Sequence, residues 1–151
     1  MKWFRPALFA AAALFTASAF ADVADTKKAE GFARAAAKYA AEKGDEAAFA
    51  AINDKKGPFT EGEFYVIVYD FSGTCLAHGQ IATRIGKNFL EQADPTGKKY
   101  VQEFVQKAKG AGEGWVDYVF KNPTTGKPQA KTTFIVRVPG KNYFVGCGAY
   151  K

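Results

Sequence analysis

One uninterrupted apolar stretch constrains the fold of this chain more than any other part of it. Residues 64–69 are all apolar or aromatic, and three of these six are Val or Ile. Such a run is typical of an interior strand with both faces covered. Residues 70–73, Asp-Phe-Ser-Gly, then predict a turn, and residues 74–78 predict a second strand. We therefore expect a buried hairpin to organise an α+β domain.

The first 21 residues have the pattern of a secretory signal peptide. Two basic residues come first, Pro6 to Phe20 is uncharged, and Ala19-Phe20-Ala21 matches an A-x-A cleavage site. This apolar run of about 15 residues is shorter than the roughly 20 that a spanning helix needs, which favours cleavage over a retained anchor. Residues 22–151 then form one domain. The sequence predicts a periplasmic or secreted protein.

The rest of the chain supplies helices before the hairpin and strands after it. Residues 25–42 predict a long amphipathic helix that Asp25 or Thr26 caps and Gly44 ends. A short helix, an insertion helix and three strands follow, at residues 46–52, 98–109, 113–120, 129–138 and 143–150. This order predicts a five-stranded antiparallel PAS-like sheet, with a helical insertion between strands 2 and 3. The first strand lies between the second and the last, and the long N-terminal helix packs on the sheet.

The two cysteines, Cys75 and Cys147, raise the question of a disulfide, since an oxidising compartment permits one. The expected order places the first strand between them, and two strand spacings of roughly 4.8 Å exceed disulfide reach. Two buried thiols are therefore favoured, and a thiol redox sensor stays open as an alternative. With a single histidine, no haem-attachment motif and no metal-ligand spacing, the sequence predicts no enzyme, no cofactor and no metal site.

Five segments carry a resemblance to a known family: GPF at 57–59, FYVIVYDFSGTCLAH at 64–78, IGKNFLEQADPTGKKYVQEFV at 85–105, GEGWVDYVFKNPTTGKPQAKTTFIVRVPG at 112–140 and YFVGCGAY at 143–150. In this order and spacing they resemble the single Cache domain of bacterial extracytoplasmic sensors, in a stand-alone form. The resemblance implies a pocket for small organic ligands, often short carboxylates. It also implies relatives that are the sensing parts of chemoreceptors or histidine kinases. Since the sequence predicts no second membrane span and no output domain, we expect a signalling role to act through such a partner or to be absent.

Three residues of the hairpin and a later strand are candidate ligand contacts. His78 ends the second strand, where its imidazole could donate a hydrogen bond to an anion. Lys131 begins a later strand and could pair with a carboxylate as a point charge, a role that the resemblance favours. Tyr69 shares one face of the first strand with other core residues. Cys75 lies three residues from His78, which predicts opposite faces and argues against a nucleophilic pair.

Three residues of the strand at 113–120 complete the candidate site. Trp115 and Tyr118 are candidate pocket walls, although strand alternation places them on opposite faces. Asp117 shares the face of Trp115, where it would bind a cationic ligand or pair with Lys131. The second of these roles would make a carboxylate ligand less favourable.

Together these features predict a soluble periplasmic domain of the sensor type that binds a small molecule and signals through a membrane receptor or kinase. The alternative is a ligand-free interaction or structural module of the same fold, with its pocket filled by Phe89, Trp115 and Phe120. The net charge of +6 comes from scattered lysines, which is typical of a solvated surface and not of a nucleic-acid site. The N-terminal helix offers a surface for a homodimer, but its Ala-rich face shows no clear seam.

Overall fold

The structure is a computed structural model that describes residues 21–151. Apart from Ala21, the predicted signal peptide lies outside this range. The described helices and strands are α1 (Val23–Lys43), α2 (Asp45–Asn53), β1 (Thr60–Glu61), β2 (Phe64–Asp70), β3 (Cys75–His78), α3 (Tyr100–Lys109), β4 (Glu113–Lys121), β5 (Pro128–Arg137) and β6 (Tyr143–Tyr150). A single 3-10 turn, Ala82–Arg84, lies between β3 and α3.

The strands form the predicted antiparallel PAS-like sheet. Its main order is β3-β2-β6-β5-β4, so β2 lies between β3 and β6 as the sequence predicts. The two-residue strand β1, which the sequence analysis did not predict, pairs with the first residues of β2. The insertion between β3 and β4 contains α3, and it packs on the sheet face opposite to α1 and α2.

The N-terminal helix begins earlier than predicted. Asp22, and not Asp25 or Thr26, is the N-cap, because its Oδ1 accepts a hydrogen bond from the backbone N–H of Ala24 at 2.7 Å. A carboxylate at this end also suits the helix dipole. The buried face is made of small residues: Ala29, Ala33, Ala36, Ala37 and Ala40. Small side chains let α1 lie close to the sheet, and no helix of residues 21–151 has the length and apolarity needed to cross a membrane.

Alternation along β2 divides the interior into two cores. Phe64, Val66 and Val68 pack in the core beneath α1 and α2. Tyr65, Ile67 and Tyr69 pack in the second core, on the side of α3. Helix α3 contributes its predicted apolar stripe to this second core: Tyr100, Val101, Phe104, Val105 and Ala108. An interior strand with both faces covered is what its unbroken apolar sequence predicts.

Both cysteines are buried free thiols on opposite faces of the sheet. Cys75 lies in the core beside α3, and Cys147 lies in the core beneath α1. Strand β2 separates them, since it pairs with β3 on one side and with β6 on the other. Two thiols so placed cannot approach to disulfide distance without rebuilding the sheet.

Candidate ligand-binding site

A β-bulge in the hairpin decides which side chains face α3. The register shifts between Val68 and Tyr69, so that Tyr69 pairs with Cys75 while Ile67 pairs with His78. Cys75 and His78 therefore lie on the same face of the sheet, and the prediction that they lie on opposite faces is wrong. A bulge inserts one extra residue into a strand and so reverses the alternation beyond it. Its effect here is to turn His78 towards the core beside α3.

A small cavity lies on this face, between the sheet and α3. It is lined by Tyr65, Ile67, Tyr69, His78, Tyr100, Phe104, Tyr118, Phe120 and Lys131. Its free volume is about 10 Å³, which is close to what one water molecule requires. Any larger ligand must therefore displace side chains when it binds.

Lys131 reaches the cavity from β5 with an almost fully buried side chain, 2% exposed. Its ammonium donates a hydrogen bond to the hydroxyl of Tyr65 at 2.9 Å. The same Nζ lies 4.1 Å from the ring centroid of Tyr65 and 4.7 Å from that of Tyr150, within the range of cation–π attraction. Burial lowers the pKa of Lys131 to about 7. At neutral pH this lysine is therefore poised between its charged and neutral forms.

His78 is held as a neutral hydrogen-bond donor. Its Nδ1 accepts from the backbone N–H groups of Gln80, at 3.2 Å, and Ile81, at 2.9 Å. A neutral imidazole whose Nδ1 accepts carries its proton on Nε2. Burial, together with the positive charges of Arg84 and Lys131, holds the pKa of His78 well below its ordinary value. The imidazole can thus donate one hydrogen bond without adding charge to the cavity.

Arg84 is the functional candidate that the sequence analysis missed. It ends the 3-10 turn, is 8% exposed, and its Nη2 donates to the hydroxyls of Tyr69 at 3.1 Å and Tyr100 at 3.0 Å. The guanidinium also lies 3.6 Å from the ring centroid of Phe89. Burial alone would lower the pKa of Arg84, but the two tyrosines raise it above its ordinary value. The available signal was an arginine next to Ile85 in the insertion between the second and third predicted strands.

The cavity carries positive charge without an acidic partner in contact with it. None of the ion pairs formed within residues 21–151 includes Arg84 or Lys131. Proteins rarely bury such residues unless they are paired, because an unpaired charge out of water is costly. Lys131 and the neutral donor His78 line the cavity, while Arg84 lies outside the lining and donates to Tyr69 and Tyr100, which belong to it. A cation and a neutral donor among aromatic side chains, with a second cation behind two of them, can hold an anion.

Four of the six predicted site residues line this cavity: Tyr69, His78, Tyr118 and Lys131. Tyr118 pairs with Lys131 across β4 and β5, and its ring stacks on Tyr100 with centroids 4.5 Å apart. Its hydroxyl lies 3.0 Å from Oγ1 of Thr133. Residues 21–151 contain no cluster of three or more His, Cys, Asp or Glu side chains arranged to hold a metal ion.

The other two predicted residues, Trp115 and Asp117, lie away from the cavity. Trp115 packs against Phe134 on the side of α1, with ring centroids 5.2 Å apart. Both line a separate open groove of about 470 Å³ beside the start of α1. Asp117 forms an ion pair with Lys151 at 3.1 Å, so the alternative in which it pairs with Lys131 is wrong. Trp115 likewise cannot fill the cavity beside α3, as the ligand-free alternative proposed.

The sheet order, with α1 and α2 on one face and α3 with the cavity on the other, defines a PAS-like domain. The single Cache domain 2 family matches residues 27–151, and the chain belongs to that family. Cache domains are extracytoplasmic sensor domains that bind ligands for signalling.

Known proteins of similar sequence and structure belong to signalling systems. The sensor histidine kinase MctS of Rhizobium johnstonii is 36% identical over 86 residues, which cover 57% of this chain and 18% of the kinase. The chain thus matches about a fifth of that relative's length. The periplasmic sensor domain of a chemotaxis protein is 26% identical with a TM-score of 0.67, over 84% of this chain and 90% of the other. A Cache chemosensory domain described for carboxylic acid recognition has a TM-score of 0.69 at 23% identity, over 84% and 93%.

Proposed function

We propose that this chain is a periplasmic sensor domain that binds a short organic carboxylate in the cavity beside α3. The observation that carries the proposal is the pair of buried cations, Arg84 and Lys131, that contact no carboxylate of the described chain. An anionic ligand would supply the missing negative charge. A cationic ligand would meet two like charges and is disfavoured.

The donors around the cavity suit a carboxylate in particular. Arg84 lies outside the lining, behind Tyr69 and Tyr100, and its planar fork of N–H groups, which matches the two oxygens of a carboxylate, would meet the ligand once these side chains move. Lys131 adds a point charge and His78 a neutral N–H, so both oxygens would have donors. The free volume of about 10 Å³ has room for about one water molecule, so a carboxylate would bind only as side chains move, which favours a ligand of a few heavy atoms. The carboxylic acid recognised by the similar Cache chemosensory domain agrees with this proposal but does not carry it.

The proposed route from sequence to function begins with cleavage of the signal peptide before Asp22, which releases the domain into the periplasm. Its ligand state would then be presented to a membrane receptor or kinase. The similarity to part of a sensor histidine kinase and to a chemotaxis sensor domain supports a partner of this kind. A homodimer through α1 remains part of the proposal, because the outer face of this helix is exposed.

A ligand-free module of the same fold is the second candidate, and one observation favours it. The cavity is nearly filled, and the ring of Phe89 already stacks on Arg84 at 3.6 Å. In this alternative the tyrosines and Phe89 satisfy the two cations, and the domain acts only as an interaction surface.

Thermal unfolding against matched ligands distinguishes the two candidates. We expect acetate, propionate, pyruvate or lactate to raise Tm, and propylamine of similar size to have no effect. A ligand at 100 times its Kd adds about 2.7 kcal/mol to the folded state, which is several degrees in Tm for a domain of this size. Lys131→Met should abolish the shift, while Lys127→Met, at an exposed loop position, should retain it. If no carboxylate raises Tm, the binding proposal fails and the ligand-free module is favoured.

A further inference from the structure

We propose that Gly148 is a positioning residue of the cavity: the missing side chain at this position lets Lys131 lie across β6 with its ammonium against Tyr65. The effect of Gly148 on ligand affinity rests on the proposed function, because Lys131 is the cation that would contact the carboxylate. Strand β6 contributes no side chain to the cavity lining. In this proposal it nevertheless determines the position of the Lys131 ammonium.

The reason for glycine at this position is space and not backbone conformation. Gly148 is absent from the glycines with positive φ in the described chain. A Cβ atom built there would lie 2.4 Å from Cε of Lys131 and 2.4 Å from Oγ1 of Thr133. Non-bonded carbon atoms keep about 3.5–4.0 Å between them. Any side chain at 148 must therefore displace both the Lys131 stem and the Thr133 hydroxyl, and it also meets the backbone oxygen of Thr132 at 2.9 Å.

Lys131 cannot move without losing the contacts that hold its charge. Its Nζ donates to the hydroxyl of Tyr65 at 2.9 Å and lies 4.7 Å from the ring of Tyr150. The hydroxyls of Tyr65 and Tyr150 are 3.4 Å apart, and Tyr150 donates to the backbone carbonyl of Lys121 at 2.8 Å. The lysine thus stands at the end of a fixed chain of hydroxyls, and Gly148 leaves the gap through which it reaches them.

The pKa of Lys131 reports on its position, because burial brings this pKa close to neutral pH. Burial lowers the pKa of Lys131 to about 7, with Cys147 and Glu63 opposing the shift and Arg84 adding to it. The titratable and charged groups that face it from the packed elements are Tyr65, His78, Arg84, Tyr118 and Tyr150, while Cys147, on the other face of the sheet, and Glu63 act without facing it. Burial raises the pKa of the tyrosines and of Cys147, and lowers that of His78. Lys131 is therefore the member of this group that changes charge between pH 6.5 and 8.5.

The first experiment needs no ligand. The protein labelled with ¹³C at the lysine ε-carbons is titrated by NMR, and Lys131→Met assigns the resonance. In Gly148→Ala we expect the Lys131 midpoint to rise by at least one pH unit, because the displaced ammonium moves towards water. Gly146→Ala is the matched control: its Cβ would lie 2.6 Å from Cδ1 of Ile135, a similar clash on the same strand without contact to Lys131. In Gly146→Ala the titration midpoint of Lys131 should stay within 0.3 pH units of the wild-type value.

The second experiment measures acetate affinity by calorimetry. At pH 7 we expect Gly148→Ala to bind acetate at least tenfold more weakly, and Gly146→Ala to bind within twofold of wild type. Between pH 7 and 8.5 the wild-type affinity should fall by roughly 15-fold as Lys131 loses its proton. In Gly148→Ala, with a midpoint at least one pH unit higher, this fall should shrink to about fourfold or less, a change that general destabilisation would not produce.

Each outcome decides one of the two proposals. If Gly148→Ala alone does not fold, Thr133→Ala in the same chain removes the hydroxyl that the new methyl group meets and leaves Lys131 as the group that must move. An unchanged Lys131 midpoint in the folded Gly148 variant, or an equal rise in Gly146→Ala, overturns the positioning role. A wild-type protein that binds none of the four acids overturns the proposed function instead, while the NMR titration still decides the role of Gly148.

Discussion

Replacing Lys131 by methionine should remove a specific pH dependence from the stability of the ligand-free protein. The pKa of Lys131 is about 7 in the folded protein, against an ordinary value of 10.5 that the unfolded chain would have. Between these two values the unfolded chain binds a proton that the folded protein does not bind. The free energy of unfolding of the wild type therefore rises with pH across this window. Below pH 7 the folded state carries the full cost of the buried charge.

The size of the effect follows from the shift. Between pH 7 and 8.5 the unfolded chain holds nearly one proton on this lysine, while the folded protein holds half a proton or less. Integrating that difference gives about 1.5 kcal/mol of added stability for the wild type. Methionine fills a similar volume and does not titrate. At pH 7 Lys131→Met should be the more stable protein, by about 1–4 kcal/mol on the precedent of buried charges replaced by apolar residues.

Urea unfolding at pH 7.0, 7.5, 8.0 and 8.5 provides the measurement, for the wild type, Lys131→Met and the exposed-loop control Lys127→Met. The stability advantage of Lys131→Met should shrink by about 1.5 kcal/mol over this range, and the control should track the wild type. The thiols cancel in the comparison, since all three proteins contain them. Parallel curves for wild type and Lys131→Met would refute the argument, because they would show that Lys131 titrates alike in both states.

Two further predictions concern the insertion and the thiols. Asp94→Asn should cost about 1–3 kcal/mol in urea unfolding at pH 7, because Asp94 accepts from the backbone N–H groups of Thr96 and Val119, both at 2.8 Å, and ties the insertion to β4. Burial raises the pKa of Asp94, but these hydrogen bonds outweigh it and lower the pKa. The stability that Asp94 adds should therefore fade as pH falls below 4. A stability difference between wild type and Asp94→Asn that stays constant below pH 4 would contradict this. Cys75 and Cys147 should resist an aromatic disulfide reagent at pH 8 and both react in urea, since burial raises their pKa values to about 11 and about 12; rapid labelling of either in the native protein would contradict the structure.

Most of the fold could be predicted because its signals are local. The unbroken run in β2, the 3.6-residue period of α3 and the turn residues between strands each act within about ten residues. The strand order followed from the order of the elements and the short connections between them, which match a PAS-like sheet. The N-cap of α1 was misplaced because Asp22 and Asp25 are chemically equivalent candidates, and only the backbone geometry distinguishes them.

The site was harder to predict, for two physical reasons. The bulge between Val68 and Tyr69 leaves no mark in the sequence, yet it reverses which residues of β3 share a face with β2. Arg84 lies in an irregular segment without periodicity, so no pattern indicated that its guanidinium would be buried. Lys131 and His78 were identified as candidates. Asp117 was placed with them wrongly, because the sequence does not show which face of β4 is covered by α3.

The hairpin that constrains the fold also connects the cavity to the helices on the other side of the sheet. His78 lines the cavity with its side chain, and its backbone N–H donates to Oδ1 of Asn53, the last residue of α2, at 2.9 Å. Helix α2 in turn packs against α1. The walls of this small cavity come from β2, β3, β4, β5 and α3, so a ligand that displaces side chains can shift groups on β2 or β3. The hydrogen bond from His78 to Asn53 would pass a shift of β3 to α2, and α2 packs against α1. This gives the proposed sensor a physical connection between its ligand and its N-terminal helix.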